Sequence, residues 1–243
     1  KVFVSGSSRG IGFYIAKKFI EEGAEVVTNA RNREELDAVA ISLGNCNRVV
    51  GDVSNPQDAA NIITSAANIL GGMDIVICNV GSGSSVPPGQ ENYDEWQRVF
   101  AVNFFSATNL IEASKKFLGN SHGSIVCISS ICGSETIPGA PVTYSVAKSA
   151  LNTYVKSISV PLALEGIRIN SVAPGNINFE GSVWSEKLIE DPDLVKEMLN
   201  REVPLGKLGS PDDVANVAVW LASDLAKFVT GTVVTTDGGQ TRS

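Results

Sequence analysis

The sequence predicts an α/β domain built on a parallel, doubly wound sheet, and three features carry that prediction. Seven short β-branched runs recur along the 243 residues, amphipathic stretches of helical length separate them, and a glycine-rich turn joins the first run to the first stretch. The runs predicted as strands are Val2–Ser5, Glu25–Asn29, Arg48–Gly51, Ile75–Cys78, Ser124–Ser129, Arg168–Val172 and Thr232–Thr235. Ile11–Glu22 carries Ile11, Ile15, Phe19 and Ile20 at helical spacing and ends at Gly23, a residue suited to a helix C-terminal cap. Further helices are expected at Arg33–Leu43, Gln57–Leu70, Tyr93–Leu118, Val142–Leu164 and Pro211–Ser223. Pro161 falls inside the fifth of these six, where a proline costs roughly 3 kcal/mol or bends the axis.

No repeat, charge block or low-complexity linker marks a boundary, so residues 1–243 read as one domain. Two segments break the rhythm: the turn-rich GSGSSVPPG of Gly81–Gly89, and an insertion, residues 176–204, before the last helix. Loops at the carboxyl ends of parallel strands are where ligands bind in this architecture, so the insertion is expected to be a substrate lid.

Composition excludes several classes. The chain carries 26 acidic and 19 basic side chains, net charge −7, so no global field favours a nucleic-acid backbone or an anionic membrane. No apolar run reaches the roughly 18–20 residues needed to cross a bilayer, and KVFVSG lacks a signal-peptide pattern. The missing initiator Met implies a few preceding residues. Cys46, Cys78, Cys127 and Cys132 form no C-x-x-C pair, which favours reduced thiols and a cytoplasmic location. His122 is the single histidine and no G-x-S-x-G elbow is present, so neither a His-rich metal site nor a serine hydrolase is expected.

The first strand runs into SGSSRGIG, placing Gly6, Ser8, Arg9, Gly10, Ile11 and Gly12 in a turn that opens a helix. Glycine permits close approach of a pyrophosphate, and the helix N-terminus offers it unpaired N–H groups. About 0.2 such glycine triples arise by chance, so the flanking strand and helix give the motif its meaning. After the second strand, where a carboxylate would meet a free ribose hydroxyl, the sequence has Ala30-Arg31. Arg9 and Arg31 together suit a 2′-phosphate, so NADP(H) is preferred over NAD(H); the alternative is two solvated arginines. Asp52 and Val53 are expected at the adenine edge, with Asn79 in the cleft wall.

Tyr144 and Lys148 form a Y-x-x-x-K pair on one helix face. A cation about 4 Å from the phenol at an effective dielectric of 20 is worth roughly 4 kcal/mol, enough to bring a group titrating near 10 close to neutrality. That is what a general acid or base needs. Ser130, at the end of ISS, is chosen over Ser129 as the hydroxyl beside the phenol. Asn103 is either a buried amide satisfying the core or a link in a proton relay through Lys148.

In this order and spacing, SGSSRGIG, Asp52-Val53, CNVG, Val102-Asn103, ISSICG, YSVAK, INSVAPG and DGG resemble the short-chain dehydrogenase/reductase family over nearly the whole chain. The resemblance implies a single seven-stranded Rossmann-type domain and catalysis by Asn103, Ser130, Tyr144 and Lys148. It adds Gly81, Pro174, Gly175 and Ile177 to the cofactor contacts, which also include Tyr144 and Lys148, and implies a homotetramer or dimer. Cys78 and Val80 depart from the family's Asn-Asn-Ala-Gly, and Phe179 stands where a Thr is usual.

The expected substrate is a small carbonyl compound or secondary alcohol. Ser82, Ser84, Ser85, Asn176, Asn178, Glu180 and Ser182 beside Phe179 and Trp184 suit a hydroxylated, sugar- or polyol-like ligand. A 3-oxoacyl-carrier-protein reductase is the alternative, opposed by the acidic charge and by Ser121 and Glu165 where such relatives resemble basic docking surfaces. A non-catalytic NADP-binding scaffold or sensor is a second alternative. An epimerase or dehydratase is a third, although those resemble longer chains with a separate substrate domain.

Overall fold

The computed structural model describes residues 1–119 and 122–241. Seven strands form one sheet in the order β3-β2-β1-β4-β5-β6-β7, and every pairing is parallel. They are β1 Val2–Val4, β2 Val26–Ala30, β3 Asn47–Val50, β4 Ile75–Cys78, β5 Ser124–Ile128, β6 Arg168–Pro174 and β7 Val233–Thr236. β1, β2 and β5 are buried at every position, while the edge strands β3 and β7 are partly exposed. Continuous apolar runs are the mark of strands covered on both faces.

The helices are α1 Gly10–Glu21, α2 Arg33–Ser42, α3 Pro56–Leu70, α4 Tyr93–Phe100, α5 Ser106–Leu118, α6 Val142–Leu164, α7 Val183–Glu190, α8 Pro192–Glu202 and α9 Pro211–Ala222. Side chains alternate between two cores. Val2 and Val4 join Ile15 and Phe19 of α1 and Val214, Ala218 and Leu221 of α9. Phe3, between them, joins Ile62 and Ile63 of α3, Leu110 and Ile111 of α5 and Leu151 of α6 on the other face. The period of two along the strand thus selects opposite layers.

Local chemistry sets the helix ends. Asn55 accepts from the N–H groups of Gln57 and Asp58 with Pro56 at the first position of α3, and Gly71 closes the helix in a left-handed conformation. Ser210 and Asp213 form a reciprocal capping box on α9. At the far end of α9 the Arg168 guanidinium donates to the carbonyls of Leu221, Ala222, Ser223 and Val229, tying the helix terminus to β6.

One expectation needs correction, and two details are added. The stretch Tyr93–Leu118 is not one regular helix, because a π-helical turn, Ala101–Phe105, separates α4 from α5. The insertion contains two helices, α7 and α8. Their signals were a Ser182 cap and the Asp191-Pro192 start, where Asp191 accepts from Leu194 N–H. As expected, α6 runs through Pro161 to Leu164. The bond lost to the Ser157 carbonyl lies on an exposed face, so that carbonyl stays accessible to solvent.

Candidate active site

β1 pairs with β2 on one side and β4 on the other, so the chain reverses direction across the sheet there and leaves a crevice at the carboxyl ends of β1 and β4. The glycine turn occupies that crevice. Gly6 and Gly10 have φ of +61° and +55°, a region that favours glycine. A Cβ on Gly12 would lie 2.3 Å from the Gly6 carbonyl oxygen and 2.4 Å from Asn79 Nδ2. Asn79 Nδ2 donates to the Ser5 and Gly6 carbonyls, fastening the turn to β4.

The residues present fit a dinucleotide. Arg9 at the N-cap of α1 makes no side-chain capping bond, whereas Asn32, Asn55 and Asn92 cap α2, α3 and α4. The N–H groups of Gly10, Ile11 and Gly12 therefore lack a side-chain cap of that kind. Arg9 and Arg31 are both exposed at this end. Their surroundings also hold carboxylates that the sequence reading missed or assigned elsewhere. Ser8 Oγ donates to Glu35 Oε2 at 3.3 Å, and Arg31 Nη1 lies 3.8 Å from Asp52 Oδ2. Burial pushes the Asp52 carboxyl up, but bonds from Ser54 and the nearby Arg31 more than offset it and hold it low. Val53 points into the core at 2% exposure, so only its backbone faces the cleft side. Pro174 ends β6, Gly175 lies against Asp237, and Ile177 is buried beneath Gly209.

Across the crevice, α6 packs on β6 and on the 3₁₀ turn Ile131–Gly133 that follows β5. This brings Ser130, Tyr144 and Lys148 together. Ser129 Oγ is turned to the Lys148 carbonyl, whereas the Ser130 hydroxyl bonds the Tyr144 phenol and accepts from Cys132 N–H at 3.2 Å. Lys148 is 2% exposed and its Nζ donates to the Ile128 carbonyl at 2.9 Å. Gly81 is the contact that only glycine allows, since a Cβ there would lie 2.9 Å from Lys148 Nζ and 3.0 Å from Asn103 Oδ1.

Asn103 sits in the π turn and pairs with one residue of the adjoining loop: Oδ1 accepts from Ser82 N–H at 2.9 Å, and Nδ2 donates to the Ser82 and Val99 carbonyls. These bonds satisfy the buried amide. A neighbouring cluster was not anticipated. Ser85 Oγ bonds Glu95 Oε1 and Thr143 Oγ1, each at 2.6 Å, and Arg98 donates to Glu95 and to the Ser84 carbonyl. Its sequence signal was only the i,i+3 pair Glu95/Arg98. Ser182 likewise caps α7 and is buried, so neither Ser85 nor Ser182 is free for a ligand. Ser121 lies outside the described residues.

The expected acidification of Tyr144 is overturned. Burial pushes its phenol up to about 12, with the Ser130 bond pulling the other way. The Lys148 ammonium is 5.9 Å from the Tyr144 ring centroid and donates to the Ile128 carbonyl. Burial also lowers Lys148, to about 8. In the unfolded chain Lys148 binds its proton up to about 10.4. The cost of burying its charge is therefore full below pH 8 and disappears as pH rises to that value. Compared with Lys148→Met, wild type should gain roughly 3 kcal/mol of relative stability between pH 8 and 10.5. Denaturant melts across this range measure it, and a constant gap between the two proteins contradicts it.

A family model described as enoyl-(acyl carrier protein) reductase matches residues 6–241. A 3β-hydroxysteroid dehydrogenase from Eggerthella lenta is 35% identical over 99% of this chain and 93% of its own. A 3-oxoacyl-[acyl-carrier-protein] reductase from Rickettsia felis is 33% identical over 97% and 94%. The NADPH-bound short chain oxidoreductase from Pseudomonas aeruginosa, described as containing an atypical catalytic center, superposes with a TM-score of 0.92 at 26% identity, covering 100% of this chain and 97% of that one. The parallel seven-stranded sheet, the glycine turn and these relatives agree, and the chain belongs to the short-chain dehydrogenase/reductase family of oxidoreductases.

Proposed function

We propose that this chain is an NADP(H)-dependent enzyme that interconverts a carbonyl compound and its secondary alcohol, with residues 1–243 acting as one dinucleotide-binding and catalytic domain. The observation that carries the reading is the meeting of Ser130, Tyr144 and Lys148 at the carboxyl end of β5, across the crevice from the glycine turn. A nicotinamide cofactor held at the glycine turn would supply or take up the hydride. Tyr144, kept protonated by its burial, gives its proton to the substrate oxygen in reduction and recovers it in oxidation. Ser130 donates a hydrogen bond to the same oxygen. Lys148, one helical turn on, keeps its charge below about pH 8 and anchors α6 to the end of β5 through the Ile128 carbonyl. Asn103 is a positioning residue that holds the Gly81-Ser82 backbone against the ammonium.

Preference for NADP(H) rests on Arg9 and Arg31, which offer charge-assisted bonds to a 2′-phosphate. Glu35 and Asp52 oppose it, so the discrimination is modest, about tenfold in Kd over NADH. On the substrate side, residues 176–204 act as a lid. The exposed Ser84, Asn178 and Glu180 remain for a hydroxylated ligand once Ser85 and Ser182 are set aside. The Rickettsia felis relative favours a second reading, a 3-oxoacyl thioester, against which stand the net charge of −7 and the exposed Glu165.

One set of assays tests these points. Tyr144→Phe should lower turnover roughly 10³-fold while leaving the NADPH dissociation constant within about twofold of wild type. Undiminished turnover removes Tyr144 from the chemistry, and equal NADH and NADPH affinities remove the arginine argument. A panel in which only apolar ketones or acyl thioesters react removes the polyol-like substrate.

The apolar side chains exposed near the π turn and along α6, namely Phe105, Val142, Val146, Val160 and Leu164, favour self-association. Sedimentation equilibrium should give a dimer or tetramer, and a monomer at micromolar concentration contradicts this.

A further inference from the structure

Phe179 lies on the glycine turn. Added to Gly10, a Cβ would meet Phe179 Cε2 at 2.6 Å, Cζ at 2.8 Å and Cδ2 at 3.1 Å. The aromatic edge therefore rests on the first residue of α1, the helix end whose N–H groups lack a side-chain cap. An apolar ring gives those groups no acceptor. The ring is half-buried and packs against the core that contains Ile15 and Val4.

The same residue lies in the lid. Ser182 Oγ accepts from Phe179 N–H at 3.2 Å and from Ser185 N–H at 3.0 Å, while Ser182 N–H donates to the Phe179 carbonyl at 3.0 Å. Residues 179–182 are thus a closed turn wired to the N-terminus of α7. Gly181, in that turn with φ +73°, lies beside Arg9, whose Nη1 is 3.7 Å from the Gly181 Cβ position. These bonds join the Phe179 backbone to the start of α7.

We propose that Phe179 is a gate on cofactor entry: its ring and the pyrophosphate of a dinucleotide compete for one seat at the start of α1, and release of the ring shifts the 179–182 turn and α7 together. This rests on the reading of the glycine turn as the dinucleotide seat. A competing side chain lowers apparent affinity by the fraction of molecules in which the seat is open. Opening before binding also makes the association rate level off as ligand concentration rises.

Trp184 on α7, with Lys187 Nζ 4.6 Å from its ring centroid, is a built-in fluorescent reporter. The test measures NADPH binding by stopped-flow tryptophan fluorescence and by equilibrium titration, for wild type, Phe179→Ala and Phe179→Leu. 2′-AMP, which fills the adenosine end without reaching the turn, is the control ligand, and thermal melts check folding. Phe179→Ala should bind NADPH roughly tenfold more tightly and lose the saturation of its association rate, with 2′-AMP affinity unchanged. Phe179→Leu should lie between, and it carries the test if the alanine variant does not fold. Unchanged or weaker NADPH binding in the variants overturns the gate alone, as does an equal gain for 2′-AMP. Failure of wild type and variants alike to bind NADPH overturns the dinucleotide reading, and the gate with it.

Discussion

A buried ammonium must have an acceptor, and the site is arranged around that requirement. Lys148 meets it with the Ile128 carbonyl, the last of β5. The bond fixes the rotation and height of α6 against the sheet. Tyr144, one turn earlier, consequently reaches the Ser130 hydroxyl at the loop that follows the same strand. Gly81 and Gly133 make the approach possible. A Cβ on Gly133 would lie 2.6 Å from the Lys148 backbone carbon, and one on Gly81 would meet the ammonium itself.

Desolvation governs the protonation of this site. It raises the phenol and lowers the ammonium, so at neutral pH the phenol is protonated while the ammonium still carries its charge. A lysine one turn away does not acidify a tyrosine merely by sequence spacing, because the attraction depends on where the Nζ atom is turned and what solvates it. The bond with Ser130 is the contact that pulls the phenol down. The Glu95–Arg98–Ser85–Thr143 cluster fixes the opposite wall and reaches α6 at the residue next to Tyr144.

Much of the fold was legible because strands buried on both faces read as plain apolar runs and helices announce their caps. Ile75–Cys78 and Val142–Leu164 matched residue for residue. The gaps have physical causes. Asn103 lies in a π turn, which inserts one residue into a helical pattern without changing its composition. The helices of the lid bury few side chains, with none in α7 and only Val195 in α8, so they add little to the core, and the caps at Ser182 and Asp191 mark where they begin. Tyr144 and Lys148 were readable as a pair because α-helical spacing fixes their shared face. The direction of the ammonium was not readable, since it depends on a carbonyl twenty residues away. The Phe179 contact with Gly10 likewise joins two segments that only the tertiary structure brings together.

The most direct measurement follows the Tyr144 phenol itself, by NMR titration of tyrosine labelled with ¹³C at Cζ, in wild type and in Ser130→Ala. A phenol held by burial and relieved by one hydrogen bond should stay protonated until about pH 12 in wild type, and its midpoint should move higher still in Ser130→Ala. A Tyr144 resonance that titrates at the ordinary value near 10, unmoved by loss of the serine hydroxyl, would contradict the account.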